Sequence, residues 1–192
     1  MKLVLVDRSA NLVGAWGRAF ADVRGVEVRR GDYLGGAADA IVSPANSFGY
    51  MDGGVDLALR SVLGKNLEVA VQTAIAKERH GELPVGDALV VATGDARLRH
   101  LVVAPTMRVP SRVDETLNAY LAFRAALLVT RELAGEDEDF TLRCCGLGTG
   151  VGAMPARRCA VQMRAAYRKV FEDPAIASPN ETLALHRALL GA

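Results

Sequence analysis

A three-layer α/β domain, with helices on both faces of a mixed central sheet, is predicted by three features of this sequence. Short apolar runs alternate with amphipathic stretches from end to end, the arrangement of strands covered by helices. Two of the runs flank Gly94 and Asp95, a turn that makes a hairpin and so adds an antiparallel pair to the sheet. The 192 residues contain no internal repeat and no linker, so residues 1–192 form one domain.

The elements follow in order. Residues 2–6 read as a buried strand and residues 10–22 as a helix. Val26–Arg30 is a second strand, ending at the turn of Gly31 and Asp32. Residues 39–43 (DAIVS) form a third, closed by Pro44, whose missing N–H cannot continue a central ladder. A glycine-bearing loop leads into helical pattern over residues 54–79, broken at Gly64. Residues 88–93 and 100–104 are the hairpin strands. Leu117, Tyr120, Leu121 and Leu128 set an apolar stripe at helical spacing within residues 114–134. Residues 140–145 are the last strand, followed by a second glycine loop and a helix over 155–171, with Pro155 in its first turn. Ser178, Pro179 and Glu181 spell a capping box with proline, so Pro179–Leu190 is an additional C-terminal helix.

Composition narrows the function. Twenty-three Lys and Arg stand against 22 Asp and Glu, a net charge of +1 that provides no global field for nucleic acid or an anionic membrane. The opening MKLVLVD is too short for the apolar region of a signal peptide, and no run approaches the ~20 residues of a membrane span. Cys144, Cys145 and Cys159 lack metal-type spacing, and His80, His100 and His186 are scattered. The expectation is a reduced, soluble, cytoplasmic protein without metal or cofactor. Arg97, Arg99, Arg108 and Arg112 bracket one strand as a candidate basic patch, which would suit RNA.

The chemistry gathers at two strand ends. Residues 41–56 read IVSPANSFGYMDGGVD and residues 144–155 read CCGLGTGVGAMP; each loop follows a strand and precedes a helix. Ligands of open α/β sheets bind beyond the carboxyl ends of strands. Glycine lets main-chain N–H groups approach an anion, and a helix N-terminus adds its dipole, so two facing loops suit a diphosphate. Gly148, Gly150 and Ala153 match a degenerate dinucleotide fingerprint, but the required second strand and carboxylate do not follow. Gly64 and Lys65 precede Asn66 and make no phosphate-binding P-loop.

Four ordered motifs over residues 26–172 resemble the macrodomain family, an ADP-ribose-binding α/β/α module. They are the Gly31, Asp32, Tyr33 step; DAIVSPAN at residues 39–46; Gly53, Gly54 and Val55; and GTGVGAMP at residues 148–155. The resemblance implies that Asp32 accepts a hydrogen bond from the adenine amino group and that Asn46 holds the hydroxyls of the distal ribose. It implies main-chain binding of the diphosphate by Gly53, Gly54 and Val55 and by the second loop, Gly148, Thr149, Gly150, Val151 and Gly152. Asp56 follows GGV ten residues after Asn46, as in the hydrolytic MacroD-type branch, where such a carboxylate serves as general base.

The implied activity is hydrolysis of an ADP-ribosyl ester, on a modified protein or on O-acetyl-ADP-ribose. A non-catalytic reader, or an RNA- or protein-interaction module on the same fold, are the alternatives. Departures are Ser43 and Pro44 for the usual Asn and Ala, and Met51 and Asp52 for further glycines. The second loop lacks an aromatic, and no final strand is recognisable after Phe171. Tyr33 or Phe171 would then cover adenine.

Overall fold

A computed structural model describes all 192 residues. Six strands form one sheet in the order β2-β1-β6-β3-β5-β4. They are β1 (Lys2–Asp7), β2 (Val26–Arg30), β3 (Ala38–Ser43), β4 (Leu89–Ala92), β5 (Leu98–Val103) and β6 (Thr141–Cys144). All pairings are parallel except β4 with β5, the expected hairpin.

The helices are α1 (Ala10–Ala19), α2 (Gly54–Leu63), α3 (Asn66–Arg79), α4 (Asn118–Ala134), α5 (Ala156–Phe171) and α6 (Pro179–Leu190). Successive strand residues point to opposite faces, so each strand feeds two cores. Leu3, Leu5, Val42 and Cys144 pack with Leu12 and Trp16 of α1, Phe123 of α4 and Met163 of α5. Val4, Val6, Ile41 and Cys145 pack with Leu59 of α2 and Leu67, Val71 and Ile75 of α3. This is the three-layer arrangement, and burial on both faces explains strands that are apolar throughout.

Several boundaries move for local reasons. α1 stops at Ala19 because the Phe20 N–H closes on the Trp16 carbonyl in a non-helical cap. Residues 114–117 stay outside α4. Thr116 turns back on Val113, and the Asn118 amide donates to the Thr106 carbonyl. α6 carries the full capping box, yet only Leu189 of it is buried. No helix is long and apolar enough to cross a membrane.

Strand β1 lies inside the sheet, hydrogen-bonded to β2 on one side and β6 on the other. The N-terminal unit, which preceded every recognised motif, is therefore central to the architecture and its end opens onto the candidate site.

Candidate ligand-binding cleft

A cleft of about 550 Å³ opens at the carboxyl ends of β1, β3 and β6. Asn46, Gly53, Gly54, Val55 and Asp56 line it from the first glycine loop, and residues 148–152 line it from the second. Ten of the twelve site residues expected from sequence thus share one space, together with one unforeseen aromatic, Tyr50. The starts of α1, α2 and α5 reach the same cleft; Ser9 caps α1, while α2 and α5 have no side-chain cap and leave helix-end N–H groups free.

The second loop is folded so that its amides stay free. Met154 N–H closes on the Gly148 carbonyl, Ala153 N–H on Gly150, and the Gly152 carbonyl accepts from Val113. The N–H groups of Thr149, Gly150, Val151 and Gly152 make no hydrogen bond within the chain. Three glycines are sterically required, Gly148 among them, with φ at +70° and Val113 2.8 Å from its Cβ position. A Cβ on Gly152 would sit 2.5 Å from the Gly148 carbonyl oxygen, and one on Gly146 would sit 2.5 Å from Leu12. Gly53, Gly54 and Gly150 face open space instead.

The first loop is organised by Asn46. Its Oδ1 accepts the N–H groups of Phe48 (3.1 Å) and Tyr50 (3.3 Å), and its Nδ2 donates to the Tyr50 carbonyl (2.8 Å). One amide hydrogen remains for a ligand. Met51, a departure from the family pattern, is buried beneath the loop, and Asp52 is exposed at the cleft.

Asp56 lies in the first turn of α2 and is buried, with 9% of its surface exposed. Ser43 Oγ donates to its Oδ1 at 2.5 Å. The other oxygen has no partner in the chain and opens to the cleft. Burial pushes its carboxyl from 3.8 up to about 6; the Ser43 hydrogen bond opposes that rise and the Asp52 charge adds to it. Desolvation is thus the main cause, and it acts before any ligand charge enters.

The cleft wall carries three carboxylates (Asp7, Asp52, Asp56) and no Lys, Arg or His. Any anionic ligand here is held by main-chain N–H groups and helix dipoles rather than by cations.

Tyr33 requires correction. It is buried in the core beside α2 and α3, its hydroxyl donating to the Val42 carbonyl, and it does not reach the cleft. Phe171 likewise stacks on Tyr167 at 4.8 Å against the other core and is absent from the cleft. Asp32 is exposed at the end of β2, 3.3 Å from Arg8, and lies outside the lining; its neighbour Gly31 donates to the Asp7 carbonyl, which keeps it beside the β1 end of the cleft.

Residues missed from sequence are Asp7, Ser9 and Asn11 at the β1–α1 junction and Thr106, Met107 and Pro110 after β5. A strand ending in Asp7 with Ser9 as helix cap was the available signal. The four arginines form no free patch: Arg97 meets Asp95, Arg99 meets Asp39, Arg108 meets Glu82 and Arg112 meets Asp114.

The Macro domain family model matches residues 42–163, well over half the chain and both glycine loops, and the protein belongs to that family. An uncharacterized protein of Aquifex aeolicus is 33% identical over 144 residues, 75% of this chain and 81% of that one. Macro domain-containing protein TTE0995 of Caldanaerobacter subterraneus subsp. tengcongensis is 26% identical over 137 residues, covering 70% and 74% of the two chains.

Among solved structures, the macrodomain of Mycobacterium tuberculosis DarG is similar with a TM-score of 0.59 at 24% identity, covering 73% of this chain and 88% of that one. The Oceanobacillus iheyensis macrodomain with ADP has a TM-score of 0.56 at 19% identity, covering 80% and 83%. A mutant of that macrodomain with ADPR gives the same TM-score and identity. At these identities the likeness is one of fold.

Proposed function

We propose that this macrodomain binds ADP-ribose in the cleft and hydrolyses an ADP-ribosyl ester, with Asp56 as general base, as in the MacroD-type branch. The observation that carries the reading is a buried carboxylate with one oxygen open to a glycine-walled cleft and its pKa near neutrality. The ADP and ADPR bound to macrodomains of the same fold support the choice of ligand.

The diphosphate lies between the loops, meeting the unpaired N–H groups of Thr149 to Gly152 and the first-turn N–H groups of α2. The remaining Nδ2–H of Asn46 donates to a hydroxyl of the distal ribose, and Asp32 accepts from the adenine amino group. Asp56 takes a proton from water as its oxygen attacks the anomeric carbon of that ribose. The carbon–oxygen bond to the acyl group breaks, and the carboxylate leaves with the electron pair. Free ADP-ribose and the restored acid are the products, and Asp56 returns its proton to solvent.

The test is product release from a peptide carrying ADP-ribose on glutamate, with wild type, Asp56→Asn and Asn46→Ala. Turnover lost in both folded variants, with ADP-ribose binding retained in Asp56→Asn, is the expected result. Unchanged turnover in both removes the catalytic assignment. Tight binding with no product from wild type makes the protein a reader.

A further inference from the structure

We infer that Ser43, the last residue of β3, is a positioning residue for Asp56: it aims the carboxylate's free oxygen into the cleft and holds the group in its ionised form. The inference rests on the hydrolytic reading for its consequence in turnover, but its structural content stands apart from it.

Ser43 and Asp56 close the first glycine loop. The chain leaves the sheet at Ser43, runs through residues 44–53, and re-enters regular structure in α2, where Asp56 occupies the first turn. A single 2.5 Å hydrogen bond from Ser43 Oγ to Asp56 Oδ1 joins the two ends. Ser43 is 1% exposed, so no water competes for the hydroxyl and its proton is committed to the carboxylate. With Oδ1 occupied, rotation about the Cβ–Cγ bond is locked, and the oxygen left over is the one that opens to the cleft.

The surrounding charges make that donor necessary. Asp52 stands on the same loop, Asp7 approaches from β1, and the Cys145 thiol lies behind Asp56 at the end of β6. Arg60, one turn further along α2, is tied to Glu68 at 2.5 Å. Every titratable group facing Asp56 is therefore acidic or neutral. Ser43 supplies the donor that favours the ionised carboxylate, and a general base must be ionised to accept a proton. Serine fits where asparagine is usual because its short side chain places one donor against Oδ1 and no second polar atom that would need a partner.

The experiment is a ¹³C-carboxyl titration of Asp56, assigned by the signal lost in Asp56→Asn, in wild type, Ser43→Ala and Ser43→Cys. The midpoint is expected to rise by about one pH unit when the donor is removed, the effect of a hydrogen bond to a charged group. The acid limb of the hydrolysis profile should move up with it, lowering kcat at pH 6 with KM little changed. Ser43→Cys keeps the side-chain shape at slightly larger volume and weakens the donor, so it reports the hydrogen bond even where Ser43→Ala does not fold.

A midpoint and acid limb identical to wild type in a folded Ser43 variant overturns the inference. Wild type that turns over no substrate sinks the hydrolytic reading, while the titration midpoint still decides the role of Ser43.

Discussion

Glu68 of α3 reaches back to the first glycine loop, where its Oε1 accepts the Met51 N–H at 3.0 Å while its Oε2 holds Arg60 of α2 at 2.5 Å. One carboxylate thus fixes the loop to two helices, and the Met51 side chain is driven into the core below it. Both contacts hold the Glu68 carboxyl below its usual range, the Met51 N–H contributing most.

Glu68→Ala should cost about 1–2 kcal/mol of stability, toward the low end for hydrogen bonds to a charged group because the carboxylate is partly solvated. Because the loop rather than the ligand is touched, ADP-ribose affinity should fall as well. Denaturant melts and calorimetric titration of the two proteins check both effects. Equal affinity would mean the loop is held without Glu68.

Asp56→Asn should lower turnover by a factor of about 10² or more, the usual contribution of a positioned base. The same change should stabilise the fold at neutral pH. A carboxyl raised from 3.8 to about 6 binds more protons folded than unfolded between those values. Stability from this group is therefore complete below the unfolded value and is lost as pH rises through about 6. Two units at about 1.4 kcal/mol each set an upper bound of about 3 kcal/mol. Unfolding free energies from pH 3 to 8 should agree for the two proteins at acid pH, separate between about pH 4 and pH 6, and stay apart above that in favour of the variant.

Gly150 and Gly152 should separate binding from folding. A methyl on Gly152 collides with the Gly148 carbonyl and with Val113, so Gly152→Ala should cost roughly 1–3 kcal/mol, as overpacking does. Gly150 has nothing within 4 Å of that position. Gly150→Ala should melt like wild type yet bind ADP-ribose more weakly, because the methyl occupies space beside the free N–H groups.

Ending the chain after Asp173 should leave the domain folded and ligand binding intact. α6 is attached through buried Leu189, a Gln162 hydrogen bond to its carbonyl and the Arg158 contact with Ala192. A large fall in Tm or in affinity would show that α6 supports α5 and the second loop.

Much of this architecture was legible because local rules and global packing agree. Gly64 divides two helices where the pattern broke, and Ser178 with Glu181 forms the capping box that their spacing announced. Both glycine loops fall on one cleft because parallel strands place their carboxyl ends on the same edge. Tyr33 was misread because a tyrosine beside a binding motif looks the same in sequence whether its hydroxyl meets a ligand or a buried carbonyl. Asp7, Ser9 and Asn11 were passed over because neighbourhood across a sheet is a matter of strand order, and nothing near residue 7 announces that residue 146 lies beside it, although Gly146 N–H points at Asp7 Oδ2.

The position of β6 has a consequence for how the chain assembles. β1 and β2 can pair early, and β3, β4 and β5 can form a second piece, but only residues 141–144 join one piece to the other. A nascent chain shorter than that carries two half-sheets with β1 and β3 as bare inner edges, the kind of surface that invites pairing with other chains. The sheet seals late, through contacts some 140 residues apart in sequence, which slows folding. Since the second glycine loop follows β6 directly, the binding cleft is completed by the same closing event.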